Sequence, residues 1–324
     1  WSFYQKMPGI HFYEKPYTKP VKNVRVSVIV PAYNEEDTLE ATLDSIRKQT
    51  LSKIEIIVVD DGSTDRTSEI LKKYAAHDVR FNIIRQKNAY VGAARNRGMK
   101  EAHGEYIGFV DADDVISPDY YKNLYQTAKE HDADIVAAEN VTYVLENQGN
   151  LHKPYEKRTF YMQNGEITDL ADYKRHIYPY LWDKLYRRSF LIDNHILCST
   201  RRSSAEDNYF TTQVMMYGDK MYVARGATYY YTRGHNSLTV LDYEKLSNQL
   251  EYVFADLDDV VDDDTGFDED KKQLWHDVIK QNRFQAFNFY YHMLKDEDKP
   301  AGLKKLQKLA PDWQPKPWSK HNEQ

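Results

Sequence analysis

The sequence predicts an α/β fold in which a mostly parallel central sheet is flanked by helices and followed by a helical C-terminal region. Three observations support this fold class. β-Branched apolar segments alternate with helical repeats between residues 25 and 110, acidic turns follow two of these segments, and apolar residues recur at helical spacing beyond residue 240. A chain that alternates strands with helices builds a mostly parallel sheet that is covered on both faces.

The first strand and helix open the folded part of the chain. Residues 25–30 are mainly β-branched and apolar, which is typical of a buried strand. Pro31 has no N–H to donate to a central ladder, so we expect the strand to end there. Leu39, Leu43 and Ile46 then recur at the spacing of one helix face.

The strand–helix pattern repeats up to residue 110. Further strands and helices are predicted over "KIEIIVVDDGSTDRTSEILKKYAA", "FNIIRQ", "YVGAARNRGMKEAHG" and "EYIGFV". Gly104 is the expected C-terminal stop of the helix that precedes the last of these strands.

The pattern is weaker in the second half of the chain. From about 140 to 180 we expect irregular structure with short strands. Farther on, a turn into a helix is predicted over "WDKLYRRSFLIDNHI". A helix that begins with acidic residues is predicted over "SSAEDNYFTTQVMMYG". Two short strands and a loop are predicted over "KMYVARGATYYYTRGHNSLTV". Beyond residue 240, helical spacing predicts one helix and then a second over roughly 271–295.

Three regions are therefore expected. Residues 1–24, rich in aromatics and prolines, are interpreted as an arm that lies on the body of the protein. Residues 25–240 form the α/β domain, and residues 241–324 form the helical region.

Composition limits the classes of partner. A chain of 324 residues with 29% charged residues indicates a soluble globular protein, and the net charge of -6 argues against nucleic acid as the main partner. The single cysteine, Cys198, excludes an intrachain disulfide and is interpreted as structural. No apolar run approaches the roughly 20 residues that span a bilayer.

Two acidic turns identify a candidate ligand site. Asp60 and Asp61 follow one predicted strand, and Asp111 and Asp113 follow another. Both turns should lie at the carboxyl edge of the sheet, where ligands bind in such folds. Paired carboxylates there can hold Mg²⁺ or Mn²⁺ together with substrate phosphates, whereas the alternative is a solvated turn.

The motifs of other nucleotide-binding folds are absent. The first strand is not followed by G-x-G-x-x-G, and no G-x-x-x-x-G-K-[ST] occurs in the chain. A dinucleotide fold and a P-loop enzyme are therefore disfavoured, and phosphate binding through a metal agrees with the acidic turn.

Four motifs in order resemble family 2 glycosyltransferases of the GT-A fold. They are "VSVIVPAYNEE", "IIVVDDGSTDRT", "ARNRGMKEAHGEYIGFVDADD" and "SAEDNYF", and they lie within about residues 25–240. The later "AED" and "RGHNS" resemble bacterial enzymes that build or decorate cell-surface polymers, including wall teichoic acid glycosyltransferases.

The resemblance implies a nucleotide-sugar site. The turn that packs on the base corresponds to Pro31, Ala32 and Tyr33, and the acid that hydrogen-bonds uracil corresponds to Asp61 or Asp60. Side chains near the base or phosphate correspond to Asn88 and Arg95, and positions near the ribose correspond to Asp111 and Ala112. Arg233 and Ser237 are expected to contact the diphosphate. For Arg95 a surface position on its helix is the alternative.

The resemblance also implies a metal site and a catalytic base. Asp113 matches the metal-binding acid of the D-x-D motif, and His235 resembles a residue that completes this site in some relatives. Asp207 matches the base, with Glu206 beside it, and a helix N-terminus would favour an ionised Asp207. Trp182 and Lys184 are expected to frame the sugar or acceptor, and packing is the alternative for Trp182.

The expected function is inverting, metal-assisted transfer from a UDP-sugar to a hydroxyl of a cell-envelope glycan, teichoic acid or lipid-linked acceptor, with Mn²⁺ or Mg²⁺ as cofactor. The expected location is the cytoplasm, at the inner membrane face for lipid-linked or polymeric acceptors; peripheral membrane association and homo-oligomers stay open. The helical region 241–324 is an expected acceptor or assembly surface. A sugar-phosphate nucleotidyltransferase and a catalytically idle sugar- or polymer-binding protein on the same fold are the alternatives.

Overall fold

The computed structural model describes residues 21–147, 150–151, 156–159, 165–176, 180–200, 206–233 and 243–317. The strands are Val26–Ala32 (β1), Ile54–Asp60 (β2), Phe81–Arg85 (β3), Tyr106–Phe109 (β4), Val115–Ile116 (β5), Ile135–Asn147 (β6), Asn150–Leu151 (β7), Glu156–Thr159 (β8), Glu166–Ile167 (β9), Lys184–Arg187 (β10) and Met221–Arg233 (β11). The helices are Leu39–Arg47 (α1), Thr67–His77 (α2), Tyr90–Lys100 (α3), Tyr120–Glu130 (α4), Leu170–His176 (α5), Arg188–Asp193 (α6), Glu206–Tyr217 (α7), Tyr243–Asp263 (α8), Glu269–Met293 (α9) and Lys299–Leu309 (α10).

The strands form one sheet in the order β3-β2-β1-β4-β10-β6-β11-β5. β3, β2, β1 and β4 are parallel to one another, so their carboxyl ends meet at one edge. The α/β fold class, with a central sheet flanked by helices, is confirmed. The alternation of strand and helix predicted this parallel half because each crossover helix returns the chain to the same edge.

β1 is longer than predicted, because it continues through Pro31 to Ala32. Pairing between β1 and β4 ends at Ile29 and Phe109, and the carbonyl of Ile29 accepts from the N–H of Val110. Residues two apart face the same neighbour, so the missing N–H of Pro31 falls on the β4 side beyond the end of that ladder. The proline therefore removes no hydrogen bond from the sheet.

The second half of the sheet is mixed. β10 is antiparallel to both β4 and β6, and β6 is parallel to β11. The sequence predicted only a turn and a helix over this part of the chain. The strand β10 was missed because four residues between a turn and a helix carry too little periodicity to be identified.

β11 is a single strand where two short strands were predicted. Its register with β6 shifts between Ala224 and Thr228, and Gly226 lies in this irregular stretch with φ of +72°. This positive φ suits glycine, and such irregularities bend a strand without ending it. Because of this bend, β11 pairs with β9 at its start and with β5, next to the acidic turn, farther along.

The C-terminal helices share the core of the α/β part. α8 packs on α7, α9 packs on α5 and α8, and α10 packs on α9. The buried apolar side chains of α8 and α9 belong to the same hydrophobic cluster as the sheet: Val253, Phe254, Leu257, Val261, Trp275, Val278, Ile279 and Phe287. Every described helix is too short or too polar to cross a membrane. Most of the predicted arm lies outside the described residues.

Candidate active site

The turn after β1 interlocks with the turn after β2. The N–H of Asn34 donates to Ser63 Oγ over 3.0 Å, and Asn34 Oδ1 accepts from the N–H of Thr64 over 2.8 Å. Beside this contact Tyr33 is 47% exposed, whereas Pro31 and Ala32 are buried in β1. A large aromatic ring left open at the carboxyl edge of a parallel sheet is a ready surface for a flat ligand.

Asp60 is used by the protein itself. Its Oδ1 accepts from the N–H of Ser63 over 2.8 Å, its Oδ2 accepts from the hydroxyl of Ser68, and its side chain is 1% exposed. These contacts close the turn between β2 and α2. Of the two acids that follow β2, Asp60 is therefore the structural one.

Asp61, at the same carboxyl edge of the sheet, has different hydrogen-bond partners from Asp60. Its Oδ1 accepts from Gln86 Nε2 over 2.7 Å and from the N–H of Ala89 over 2.9 Å. Both contacts reach one oxygen, which leaves Oδ2 as the acceptor that a ligand could use. The exposed Asn88 lies in the same loop, beside Ala89.

Arg95 joins parts of the chain that are more than a hundred residues apart. Its guanidinium contacts Asp111 Oδ1 at 2.8 Å, and Glu206 Oε1 and Asp207 Oδ1 at 3.1 Å each. The side chain is only 2% exposed, so the surface alternative is wrong. Burial alone would lower the pKa of Arg95, yet the carboxylates raise it well above its ordinary value. Arg95 thus binds the acidic turn to the first turn of α7.

The first turn of α7 carries Glu206 and Asp207, as the sequence predicted. Burial raises the pKa of Asp207 well above its ordinary value, the charge of Glu206 raises it further, and Arg95 opposes both. The helix N-terminus was expected to keep Asp207 ionised, but burial beside a second carboxylate acts in the opposite direction.

A buried lysine on α5 donates hydrogen bonds to side chains of α7. Lys174 Nζ, on α5, lies 3.0 Å from both Asn208 Oδ1 and Thr211 Oγ1. Burial lowers the pKa of Lys174 well below its ordinary value. Nothing in the sequence indicated this contact, because α5 lies in the segment where the periodic pattern is weak.

The acidic turn after β4 has one inward carboxylate. Asp114 is fully buried, and its two oxygens accept from Tyr229 Oη and from the N–H of Thr232. The carbonyl of Ala112 accepts from Thr42 Oγ1 on α1 over 2.8 Å. Asp113 is partly buried between these fixed residues. Asp114 is therefore structural.

The residues present suit a hard divalent cation. The described part of the chain has no group of three or more His, Cys, Asp and Glu side chains arranged around one point. Asp111 and Asp113 nevertheless give two carboxylates at one turn, and Mg²⁺ is often held by one or two carboxylates together with substrate phosphates. Arg233 is the last residue of β11, and His235 and Ser237 lie outside the described residues.

Trp182 and Lys184 pack in the interior. Trp182 is 2% exposed and stacks on Tyr229 with ring centroids 4.2 Å apart. Lys184 Nζ contacts Asp183 Oδ1 at 2.6 Å and the carbonyl of Tyr180 at 2.8 Å. For Trp182 the structure supports the packing alternative, and Lys184, which was expected to frame the sugar or acceptor, is buried against Asp183.

One acid at this edge was missed. Glu35, in the turn after β1, accepts from Thr38 Oγ1 over 2.9 Å. Burial raises the pKa of Glu35 to about 7, and the charge of Asp111 adds to this effect. The doubled acid of "NEE" after the first strand was the available signal.

The comparison with known proteins identifies the family. A model described as glycosyl transferase family 2 matches residues 27–195, which is slightly more than half of the chain. The chain belongs to glycosyl transferase family 2. The family match covers the parallel half of the sheet and β10, together with both acidic turns.

Relatives of this family member include bacterial glycosyltransferases. The uncharacterized glycosyltransferase EpsJ of Bacillus subtilis (strain 168) is 37% identical over 229 residues, which cover 68% of this chain and 64% of EpsJ. Poly(ribitol-phosphate) beta-N-acetylglucosaminyltransferase TarS of Staphylococcus aureus (strain Mu50 / ATCC 700699) is 32% identical over 211 residues, which cover 64% of this chain and 35% of TarS. The chain therefore spans less than two thirds of EpsJ and about a third of TarS.

A solved structure shares the fold of this family 2 chain. S. aureus TarS 1–349 in complex with UDP-GlcNAc matches it with a TM-score of 0.67 and 25% identity, and the match covers 88% of this chain and 80% of that chain. The GT-A fold that the sequence resemblance implied is confirmed by this match.

Proposed function

We propose that this chain is an inverting glycosyltransferase that moves a sugar from a UDP-sugar to a hydroxyl of a cell-envelope acceptor, with a divalent cation. One observation carries the proposal: Arg95 holds the D-x-D turn and the Glu206–Asp207 pair at one edge of the sheet. A donor's diphosphate and an acceptor's hydroxyl must meet at such a point. The UDP-GlcNAc bound to TarS supports a UDP-sugar donor.

Asp207 is the proposed base. An acceptor hydroxyl has to lose a proton as it attacks the anomeric carbon, and a carboxylate within hydrogen-bond reach can take it. The side chain of Asp207 is 22% exposed, so a hydroxyl can approach it from solvent. Glu206 contacts Arg95 at the same distance as Asp207 but is half as exposed, at 11%. One displacement assisted by one base inverts the anomeric centre.

Asp113 and Asp111 are the residues that would hold the cation. A bound Mn²⁺ or Mg²⁺ would stabilise the charge that develops on the leaving diphosphate. Asp111 also faces Arg95, which offsets part of the negative charge of the turn before a ligand arrives. His235, Arg233 and Ser237 stay proposals for the same metal and diphosphate site.

The uracil and ribose are proposed to lie between the turns after β1 and β2. Tyr33 offers its exposed ring. Asp61 offers Oδ2, because Gln86 and Ala89 donate to its other carboxylate oxygen. Ala112, which is 4% exposed, is proposed to lie near the ribose.

The acceptor is proposed to be a cell-envelope polymer. TarS acts on poly(ribitol-phosphate) by its name, and this supports a teichoic acid or related glycan, with a lipid-linked acceptor as the second possibility. Either acceptor would place the enzyme at the cytoplasmic face of the membrane as a peripheral protein. Residues 241–324 are the proposed acceptor or assembly surface, and 25–240 are the proposed nucleotide-sugar-binding region, which shares its hydrophobic core with the C-terminal helices.

A panel of UDP-sugars tests the proposal. The chain is incubated with each UDP-sugar, Mn²⁺ and a ribitol-phosphate or glycan acceptor, and UDP release and the anomeric configuration of the product are measured. We expect UDP release with one donor, inversion, and loss of turnover in excess EDTA. Release of pyrophosphate would indicate a nucleotidyltransferase, and UDP-sugar binding without release under all conditions would indicate an idle binding protein.

A further inference from the structure

β11 holds the D-x-D turn through a tyrosine hydroxyl. Tyr229 Oη donates to Asp114 Oδ2 over 2.8 Å and accepts from the N–H of Asp111 over 3.2 Å. The N–H of Thr232, farther along the same strand, donates to Asp114 Oδ1 over 2.7 Å. One hydroxyl therefore contacts both ends of the four-residue turn.

Asp113 lies between the residues that are fixed in this way. Asp111 and Asp114 are held by Tyr229, and the carbonyl of Ala112 is held by Thr42 Oγ1. Before Asp113 the backbone is held at the Asp111 N–H and the Ala112 carbonyl, and after it the side chain of Asp114 is held, with partners from α1 and β11. A carboxylate can serve as a metal ligand only if its own support holds it close to one position.

We propose that Tyr229 and Asp114 form a latch that fixes the direction of the Asp113 carboxylate, so that Tyr229 is a positioning residue for the divalent cation. This inference rests on the metal-assisted function proposed above. It adds a residue from outside the D-x-D motif, more than a hundred positions along the chain. The Tyr229 side chain is fully buried, so its hydroxyl acts through the turn.

The ring of Tyr229 has its own support, which makes a clean test available. It stacks on Trp182 with centroids 4.2 Å apart and meets Tyr120 edge-on at 6.1 Å. Tyr229→Phe keeps these ring contacts and removes only the hydroxyl. Tyr230→Phe is the matched control, because the next residue on a strand faces the opposite side and Tyr230 is only partly buried.

The experiment measures UDP affinity by calorimetry with and without Mn²⁺, and Mn²⁺ binding by electron paramagnetic resonance. Wild type and Tyr230→Phe should bind UDP more tightly when Mn²⁺ is present. In Tyr229→Phe the Mn²⁺ affinity should fall by about 10- to 100-fold, the range for loss of a group that supports a metal ligand. UDP affinity without Mn²⁺ should stay close to wild type, and the melting temperature should fall by a few degrees, because the buried Asp114 carboxylate loses one donor.

Measurements on wild type and on Asp113→Asn show whether a negative result contradicts the latch or the metal site. Asp113→Asn should lose the Mn²⁺ effect whether or not the latch exists. If wild type and Asp113→Asn behave as expected but Tyr229→Phe binds Mn²⁺ like wild type, the latch is wrong and the metal site stands. If wild type shows no Mn²⁺ effect, the metal-assisted function and the latch both fall.

Discussion

Arg95 is a single side chain that organises the candidate site. It is buried and has carboxylates of Asp111, Glu206 and Asp207 around it. Both terminal nitrogens of its guanidinium contact these acids, whereas its Nε has no hydrogen-bond partner among the described residues. Removing a buried partner of this kind costs about 3–5 kcal/mol, because the opposite charges stay buried. A milder substitution is therefore needed to test its role.

Arg95→Lys should move the acidic limb of the activity profile to higher pH. Arg95 lowers the raised pKa of Asp207, and a single ammonium cannot replace the fork of a guanidinium that contacts three carboxylates. The pKa of Asp207 should therefore rise, so a higher pH is needed to ionise the base. The measurement is kcat/KM against pH, with Arg97→Lys, on the exposed face of the same helix, as the control. An unchanged limb would contradict the role of Arg95.

Asp207→Asn should slow transfer and spare the donor. The amide has nearly the same shape, but it cannot take the acceptor's proton, and a general base contributes about 10²–10⁴-fold. Transfer rate and UDP-sugar affinity are measured on the same variant, with Asp263→Asn, an exposed position on α8, as control. Transfer within a few-fold of wild type would make Glu206 the candidate base.

Asp61→Asn should weaken UDP binding while the fold survives. The amide oxygen can still accept from Gln86 and Ala89, whereas the other position becomes an N–H donor that repels a donor on the base. Hydrogen bonds to charged groups contribute about 1.5–3 kcal/mol, so UDP affinity should fall by roughly 10- to 100-fold. Calorimetry with UDP decides, and wild-type affinity in the folded variant would show that another residue reads the base.

Helix α3 shows at the element scale how a site residue depends on its backbone. Gly92 and Gly98 let the helix approach its neighbours closely: a Cβ on Gly92 would lie 1.9 Å from the carbonyl of Ser199, and a Cβ on Gly98 would lie 2.4 Å from Cγ2 of Ile29. Asn96 joins the same segment by bonding both the N–H and the carbonyl of Cys198. Arg95 therefore lies on a helix whose position is fixed on two sides.

Gly92→Ala should lower both stability and activity. Backbone atoms stand where the new methyl group would go, so α3 or the 198–199 segment must shift, and such overpacking costs about 1–3 kcal/mol. The shift would also move Arg95 away from its carboxylates. Urea unfolding followed by tryptophan fluorescence measures the first effect and UDP release the second. Arg97→Ala is the control, and equal stability of both variants would show that the close approach relaxes freely.

The C-terminal helices matter at the scale of the whole molecule. They cover α7, the helix that carries Glu206 and Asp207, and Tyr217 at its end donates to Asp264 Oδ2 over 2.7 Å. Tyr217 also lies against Phe267, with ring centroids 5.6 Å apart. The helical region is therefore part of the support of the candidate base as well as a proposed acceptor surface.

A chain that ends at residue 240 should fail to fold as an independent domain. Without α8 and α9, the buried face of α7 and the apolar side chains that pack on it would be exposed to water. We expect aggregation on size-exclusion chromatography, in contrast to the full 324-residue chain. A monodisperse fragment with wild-type UDP affinity would instead establish residues 25–240 as a separate domain.

The parallel half of the fold could be predicted from the sequence alone. Buried strands alternate with amphipathic helices over residues 25–110, and each of these patterns can be recognised within one short stretch of consecutive residues. The acidic turns could be placed at one edge for the same reason, since parallel strands end on the same side. The family motifs then implied roles for Asp61, Asp113 and Asp207.

Tertiary contacts alone determine which oxygens of these acids the protein itself occupies. The contacts of Asp61 reach only one of its oxygens. Asp60 has both carboxylate oxygens bonded within its own turn, and Asp114 has both bonded by Tyr229 and Thr232. These partners come from a turn in one case and from a strand more than a hundred residues away in the other. The contacts of Arg95 have the same character, because a hydrogen bond between distant segments leaves no periodic trace in either of them.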